Sequence, residues 1–232
     1  MRVLDIDLDF FLTGVCELAD LGERPTGCAP WPEGDVRAFL EERCGLSRQK
    51  PVPGAVFETH DGALGFWKAR MDAGDLTAPF HVTHVDAHSD LGIGRPGPAY
   101  VLESVITRSP QRRAEIERYY AERKLDEANY LLFALAFRWV SSLDNVRNPA
   151  SRADMPARFC LDRHIRLRSS VAALVPALDY HEPEVPFRVY GEWRDFRADL
   201  PYDFVTLAIS PRYAPKEADA LVGPIREYIR ES

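Results

Sequence analysis

The chain has 232 residues, of which 46% are hydrophobic and 28% charged, and its formal net charge at pH 7 is −7. This composition is ordinary for a globular protein, and the length suits a single domain over residues 1–232. The acidic charge argues against partners such as nucleic acid or an anionic membrane surface, and it is compatible with a cationic substrate. Because no apolar run approaches membrane-spanning length and no signal peptide is recognisable, we expect a cytoplasmic protein.

Strands and helices alternate along the first half of the chain. We expect strands at 2–8, 56–57 and 80–85, helices at 35–44 and 62–73, a loop at 13–32 with a short helix at 15–21, and a linker at 49–53. The helix at 35–44 follows from the apolar spacing of Val36, Phe39 and Leu40 and from the stop signal of Gly45. The strands are short apolar runs, as in a buried parallel sheet.

The second half continues the alternation. We expect a loop at 92–98, helices at 109–124 and 125–143, an irregular segment at 144–160, strands at 160–167, 187–190 and 204–210, a short helix or loop at 174–180, and a closing helix at 215–230. This order of elements is typical of an α/β protein, a three-layer α/β/α sandwich on a mainly parallel sheet. Ligands of such sheets bind at the carboxyl ends of strands.

The four cysteines, Cys16, Cys28, Cys44 and Cys160, are widely spaced and form no Cys-x-x-Cys pair. We therefore expect reduced thiols. A zinc site built from Cys16, Cys28 and Cys44 is the alternative, although their spacing is wrong for known cysteine zinc sites.

Two predicted strand ends carry an unusual density of acidic and imidazole groups. The first brings Asp5, Asp7 and Asp9, and the second brings Asp86, His88 and Asp90. Alternate residues of an extended backbone point to the same side, so three ligand groups converge in each stretch. Buried carboxylates require a compensating partner, and a pair of metal ions is the simplest one. Oxygen-rich ligands with some imidazole suit Mn²⁺, with Fe²⁺, Co²⁺ or Zn²⁺ as alternatives.

These stretches resemble motifs of the ureohydrolases, the family of arginases and agmatinases. Residues 86–90 resemble Asp-Ala-His-x-Asp, residues 5–7 resemble Asp-x-Asp, and residues 58–62 resemble a third motif whose histidine binds metal, with Thr59 in place of an Asp. The similarity is greatest to a small divergent arginase-like group that includes the peptide arginases, which convert arginine to ornithine in ribosomally made peptides. Here Asp-x-Asp comes first, and a circular permutation would explain this order.

The resemblance implies an arginase-like fold with two metal ions. One ion would be held by His60, Asp86, Asp90 and Asp5, and the other by Asp86, His88, Asp5 and Asp7. Two dications lower the pKa of a shared water, which would then attack the guanidinium carbon of arginine and release urea. Asp90 is the expected catalytic group, hydrogen-bonded to the nucleophile and passing its proton to the leaving amine.

Substrate-binding residues are harder to derive. Glu58, which shares a strand face with His60, and Asp9 are the candidates; a strand-end salt bridge for Glu58 and a turn or cap role for Asp9 are the alternatives. Glu103 and Glu127 are weaker candidates. Ala208 stands where typical arginases have the Glu of a Glu-Val-Asn-Pro segment. Since groups that would hold a free amino acid are also not recognisable, we expect arginine within a precursor peptide as the substrate.

The remaining histidines lie outside the recognised motifs, and two other functions are compatible with the sequence. We interpret His84 and His81 as strand-packing residues, with the alternative that His84, two residues before Asp86, faces the same side as Asp86. His164 and His181 are interpreted as surface or structural residues. One alternative function is another metal-dependent amidine or amide hydrolase, or a deacetylase, on the same fold. The other is a non-catalytic module that binds metal and a peptide. Metal stoichiometry and turnover distinguish them, and the sequence leaves the oligomeric state undefined.

Overall fold

The protein is described here from a computed structural model that covers residues 1–92, 97–169, 171 and 182–232. Within those residues the strands are β1 (Arg2–Asp7), β2 (Val52–Phe57), β3 (Phe80–Asp86), β4 (Val140–Arg147), β5 (Cys160–Leu161), β6 (His164–Ile165), β7 (Val185–Tyr190), β8 (Phe204–Ala208) and β9 (Ile229–Glu231). The α-helices are α1 (Glu33–Ala38), α2 (Gly62–Asp72), α3 (Gly97–Tyr100), α4 (Ile116–Ala121), α5 (Tyr130–Ala136) and α6 (Val222–Arg226). Helical turns of other types extend or replace several of them, at Leu8–Phe11, Phe39–Arg43, Val101–Val105, Pro110–Arg112, Trp193–Asp195 and Lys216–Leu221.

All nine strands belong to one sheet, in the order β5-β6-β7-β4-β3-β1-β8-β2-β9. Every pairing from β7 across to β9 is parallel, and the short strands β5 and β6 add an antiparallel edge. The prediction of an α/β protein with a mainly parallel sheet is therefore confirmed.

Apolar side chains are buried on both faces of the sheet. Successive strand residues point to opposite faces, and accordingly Val3 belongs to one core and Leu4 to the other. The first core includes the buried side chains of α2 and α5, and the second includes those of α1 and α6. Helices thus cover the sheet on both sides.

The two acidic stretches meet because β1 and β3 are parallel neighbours in the middle of the sheet. Asp5 is paired with His84 in the register of these strands, and on the other side of β1 Asp7 is paired with Ala208 of β8. The carboxyl ends of all three strands consequently lie side by side. This is the edge at which parallel α/β sheets bind ligands.

Three predicted boundaries are wrong because a strand occupies part of an expected helix or linker. The helix expected at 125–143 ends at Ala136, since Arg138 has a left-handed backbone (φ 62°), and β4 begins at Val140. The closing helix expected at 215–230 gives way to β9, which pairs with β2. The linker expected at 49–53 overlaps β2, which begins at Val52.

Other predicted elements are shorter than expected or have no counterpart. The loop at 13–32 is confirmed, but no helix forms at 15–21. The helix expected at 109–124 is reduced to α4 and a single turn, and the strand at 160–167 is split into β5 and β6. Part of the predicted loop at 92–98 and all of the segment 174–180 lie outside the described residues. Among the residues described, no helix has the length and apolarity needed to cross a membrane.

Candidate metal centre

Three short segments bring the acidic and imidazole side chains together. Asp5 and Asp7 lie at the end of β1, and Asp9 lies in the helical turn that follows. His84 and Asp86 end β3, and the loop after it carries His88 and Asp90. His60 lies in the turn between β2 and α2. Apart from His88, which is partly exposed, all of these side chains are buried.

One group of ligand atoms surrounds the Nδ1 atom of His60. This nitrogen lies 3.0 Å from Asp86 Oδ2, 3.0 Å from Asp90 Oδ2 and 3.2 Å from Asp7 Oδ2. The Nε2 atom of His84 lies 3.2 Å from the same Asp86 oxygen and 3.5 Å from the same Asp90 oxygen. Four side chains, His60, His84, Asp86 and Asp90, therefore place one ligand atom each within 4.8 Å of one another.

These atoms are close together, yet they form no hydrogen bonds. His60 Nδ1, His84 Nε2, Asp86 Oδ2 and Asp90 Oδ2 are all buried without a hydrogen-bond partner. Orphaned buried polar atoms are rare in folded proteins, and several that converge on one point call for a shared cation. The residues consequently fit a metal ion, and the group of four can hold one.

A second group lies beside the first. The Nδ1 atom of His88 is 2.8 Å from Asp9 Oδ2 and 3.6 Å from Asp86 Oδ1. Asp9 is held in place by its other oxygen, Oδ1, which accepts a hydrogen bond of 3.1 Å from the amide of Ala87. Asp86 therefore faces His60 with one carboxylate oxygen and His88 with the other.

Asp7 and Asp5 occupy different places in this arrangement. Asp7 Oδ2 faces His60 and accepts a hydrogen bond from the Ser210 hydroxyl, while Oδ1 caps the amide of Asp9. Asp5 instead lies on the far side of the His60 ring, where its Oδ1 is 3.3 Å from Nε2. Asp5 belongs to neither group of ligand residues, and hydroxyl groups of Tyr130 and Thr206 donate to its two oxygens, so its role as a direct ligand stays a prediction.

His84 joins the cluster, although packing in the strand is the preferred interpretation from sequence. Its Nε2 faces the carboxylates and its Nδ1 lies 3.2 Å from the Asn145 amide nitrogen. The alternation of His84 and Asp86 on one strand is the signal for this orientation. His81, by contrast, packs in the strand as interpreted, with contacts to Ser142 and Thr83. His164 is exposed, and His181 lies outside the described residues.

Charge balance explains the pKa shifts of the cluster. Burial lowers the pKa of His84, but the neighbouring Asp86 and Asp90 outweigh it and raise that pKa to about 9. Burial likewise opposes protonation of His88, and Asp9 outweighs it, so that its pKa is raised to about 12. Burial raises the pKa of Asp90, and the nearby charge of Asp86 raises it further.

Two residues of the centre have unusual backbone geometry. Asp90 has φ 50° and Ser210 has φ 46°, a left-handed region that residues with a Cβ seldom adopt. Such conformations cost of order 1–3 kcal/mol each and cluster at functional sites. In this protein they aim Asp90 Oδ2 at His60 and the Ser210 hydroxyl at Asp7.

A cavity of about 180 Å³ lies over these groups. Its lining consists of Asp7, His60, His88, Ser89, Asp90, Glu127, Ala128, Asp154, Ser210 and Tyr213. Glu127 and Asp154 add two carboxylates beyond those that face the histidines. Glu58 does not line the cavity, since β2 ends before it and the residue is exposed.

No cysteine belongs to either group of ligand residues found within the described part of the chain. All four cysteines are free.

Comparison with known proteins leaves the chemistry to be inferred from the centre itself. No protein-family model matches the chain, and no curated protein matches it either.

Proposed function

We propose that the protein is a hydrolase that uses two Mn²⁺ ions to convert arginine residues of a precursor peptide to ornithine, with release of urea. The observation that carries this proposal is the position of Asp86, whose two oxygens face two separate groups of metal-type ligands. A carboxylate shared in this way is what a pair of metal ions requires. The resemblance to ureohydrolase motifs supplies the reaction.

We assign the ligands from the distances. His60, His84, Asp86 and Asp90 would hold the first ion, and Asp9, Asp86 and His88 would hold the second. Asp7, whose Oδ2 is 3.2 Å from His60 Nδ1, contributes at the first position. Relative to the set that the resemblance implied, this assignment adds Asp9 and His84, moves Asp7 from the second ion to the first, and leaves Asp5 out.

When bound, the two ions supply an activated water and a Lewis acid. The chain itself then has to orient the guanidinium and move one proton. The water oxygen forms a bond to the guanidinium carbon, and the bond from that carbon to the side-chain nitrogen breaks. The Asp90 carboxylate lines the cavity, with Oδ2 3.0 Å from His60 Nδ1, so it would accept the proton of the water and return it to the leaving amine.

The cavity suits a guanidinium. Glu127 lines it and lies 3.5 Å from Nη1 of Arg212, so this carboxylate already faces one guanidinium group. Asp154 also lines the cavity, and its Oδ1 lies 2.9 Å from Nη2 of a second guanidinium group, that of Arg147. Carboxylates and planar guanidinium groups pair with a geometry that ammonium groups do not reproduce. We therefore propose Glu127 as the main group that binds the substrate side chain.

The lining also favours a peptide over free arginine. Among the described lining residues there is no lysine or arginine to hold an α-carboxylate. A peptide substrate lacks that charge at the reacting residue, so it needs no such partner. The same cavity would disfavour free arginine, whose carboxylate would lie among acidic groups.

A deacetylase or other amide hydrolase is the second candidate. The group of His60, His84, Asp86 and Asp90 alone provides four ligand atoms, which is enough for a single ion. Such an enzyme would need one metal and would accept a neutral acyl group. A non-catalytic metal- and peptide-binding module would bind metal without turnover.

Mass spectrometry tests these functions in one experiment. The protein loaded with Mn²⁺ is incubated with an arginine peptide, an acetyl-lysine peptide and free arginine, and with Asp86→Asn as the inactive control. Loss of about 42 Da from the arginine peptide, as urea is released hydrolytically, is the expected result. Conversion of the acetyl-lysine peptide instead would favour the deacetylase. No conversion of any substrate, with two ions confirmed bound, would reject both enzymes.

A further inference from the structure

A second cavity adjoins the one over the metal centre. It has a volume of about 300 Å³, and His88, Asp154 and Tyr213 line both cavities. The rings of His88 and Tyr213 meet edge to face, with their centroids 5.0 Å apart. These two side chains therefore form a partition, with the acidic cavity on one side and the second cavity on the other.

The second cavity differs from the first in chemistry. Its apolar lining consists of Val15, Cys16, Leu18, Ala87 and Ala153. Leu18 is 53% exposed, so this leucine presents apolar surface that the fold itself does not cover. The charged residues Glu17 and Arg152 also line it, and they are paired with each other at 2.6 Å. No carboxylate is left there to attract a cation except the shared Asp154.

The segment that carries Leu18 is hydrogen-bonded to the segment that carries Tyr213. The amide of Ala19 donates to the carbonyl of Arg212 at 2.9 Å, and Arg212 Nε donates back to the carbonyl of Ala19 at 3.1 Å. The salt bridge between Glu17 and Arg152 joins the segment that carries Leu18 to the segment that carries Ala153. The cavity is consequently formed before any ligand binds, which lowers the entropic cost of binding.

We propose that this cavity is a subsite for an apolar side chain of the peptide, two residues away from the arginine. The inference rests on the proposed peptide arginase function. Side chains of an extended peptide alternate in direction, so residues i and i+2 enter neighbouring cavities on one face, whereas residue i+1 points away. A guanidinium in the acidic cavity then places the second side chain across the partition, against Leu18.

The chemistry of the two cavities matches this occupant. The first accepts a cation among carboxylates, and the second accepts an apolar group among Val15, Leu18 and Ala153. A peptide with arginine and a large apolar residue at this spacing complements both. A peptide with an acidic residue at the second position would oppose the shared Asp154.

Kinetics on a set of five-residue peptides tests the subsite. The parent peptide has arginine at the centre and glycine elsewhere, and leucine is placed singly at each flanking position. Leucine at one of the two positions that lie two residues from the arginine should raise kcat/KM about tenfold, the scale for filling an apolar pocket. In Leu18→Asp, the leucine peptide and the parent glycine peptide should have about the same kcat/KM. Leu161→Asp is the matched control, because Leu161 is also 53% exposed but lies in β5.

A binding measurement separates this inference from the proposed function. Fluorescence anisotropy of labelled leucine and glycine peptides is recorded with the protein in the absence of metal. Tighter binding of the leucine peptide to the wild type and to Leu161→Asp, but not to Leu18→Asp, supports the subsite even if no peptide is hydrolysed. Hydrolysis of all peptides with equal kcat/KM would leave the enzyme function standing and overturn the subsite. A leucine preference that Leu18→Asp retains would also overturn it.

Discussion

Asp5 lies behind His60, with its Oδ1 3.3 Å from Nε2, while Nδ1 of the same ring faces the carboxylates of the centre. Hydroxyl groups of Tyr130 and Thr206 each donate to Asp5 at 2.5 Å and fix its orientation. A carboxylate bonded to the outer nitrogen of a metal-binding histidine fixes the ring and its tautomer. We therefore expect Asp5 to orient His60 through this close contact rather than to bind the ion directly.

Replacement of Asp5 should weaken metal binding without abolishing it. For Asp5→Asn we expect a 10–100-fold loss of Mn²⁺ affinity, the scale measured for partners of metal-ligating histidines. Isothermal titration calorimetry gives the affinity, and Asp72→Asn, at an exposed position, serves as the control. A loss as complete as that of Asp86→Asn would instead make Asp5 a direct ligand.

The number of bound ions should depend on Asp9 and Asp86 in different ways. Asp9 faces only the group around His88, whereas Asp86 faces both groups. We expect two ions per chain in the wild type, one in Asp9→Asn and none retained in Asp86→Ala, measured by plasma mass spectrometry after gel filtration. A wild-type protein that retains a single ion under saturating Mn²⁺ would contradict the dinuclear assignment.

Metal binding should release protons and strengthen with rising pH. In the metal-free protein the pKa of His84 is raised to about 9, because the pull of Asp86 and Asp90 outweighs burial. At pH 7 this ring is therefore protonated, and a metal ion has to displace its proton. Affinity should fall as the pH is lowered from 9 to 6. Calorimetry in two buffers of different ionisation enthalpy should show proton release, and equal heats in both buffers would argue against it.

Sequence reasoning located most of the centre because its chemistry is local. Asp86, His88 and Asp90 lie within five residues, and their spacing on an extended backbone is visible without a structure. The mainly parallel sheet followed from alternating strands and helices. What pattern alone could not provide is register. The position of Asp5 behind His60 depends on its contacts with Thr206 and Tyr130, both distant in sequence.

The missed elements have a common cause. Residues 140–143 and 229–230 extend apolar helical patterns, so local periodicity assigns them to helices, and residues 144–147 are expected to be irregular. They form strands because each can pair with a neighbour in the parallel sheet: β4 pairs with β3, and β9 pairs with β2. Tertiary pairing therefore overrode local preference. Glu127, named from the sequence only as a weaker candidate, reaches the cavity from a loop distant from every recognised motif.

The buried Glu182 gives a test of the fold that is independent of metal. Burial alone raises its pKa, but two guanidinium groups, Arg113 and Arg138, outweigh burial and hold the pKa below its usual 4.5. Arg113 is fully buried and donates to both Glu182 oxygens, at 2.9 and 2.7 Å. Its remaining donors reach backbone carbonyls, including that of Ala136.

Glu182→Gln should destabilise the protein by about 3–5 kcal/mol at pH 7, because removal of one partner leaves a buried charge uncompensated. A lowered pKa means that the stabilisation is present above pH 4.5 and is lost as the pH falls through the folded-state value. The difference between wild type and variant in urea denaturation should therefore shrink between pH 6 and pH 3. Glu184→Gln, at an exposed salt bridge with Arg166, should cost less than about 0.5 kcal/mol at either pH. A Glu182→Gln penalty that is the same at both pH values would show that shape and hydrogen bonding, rather than the charge of the carboxylate, hold this part of the core.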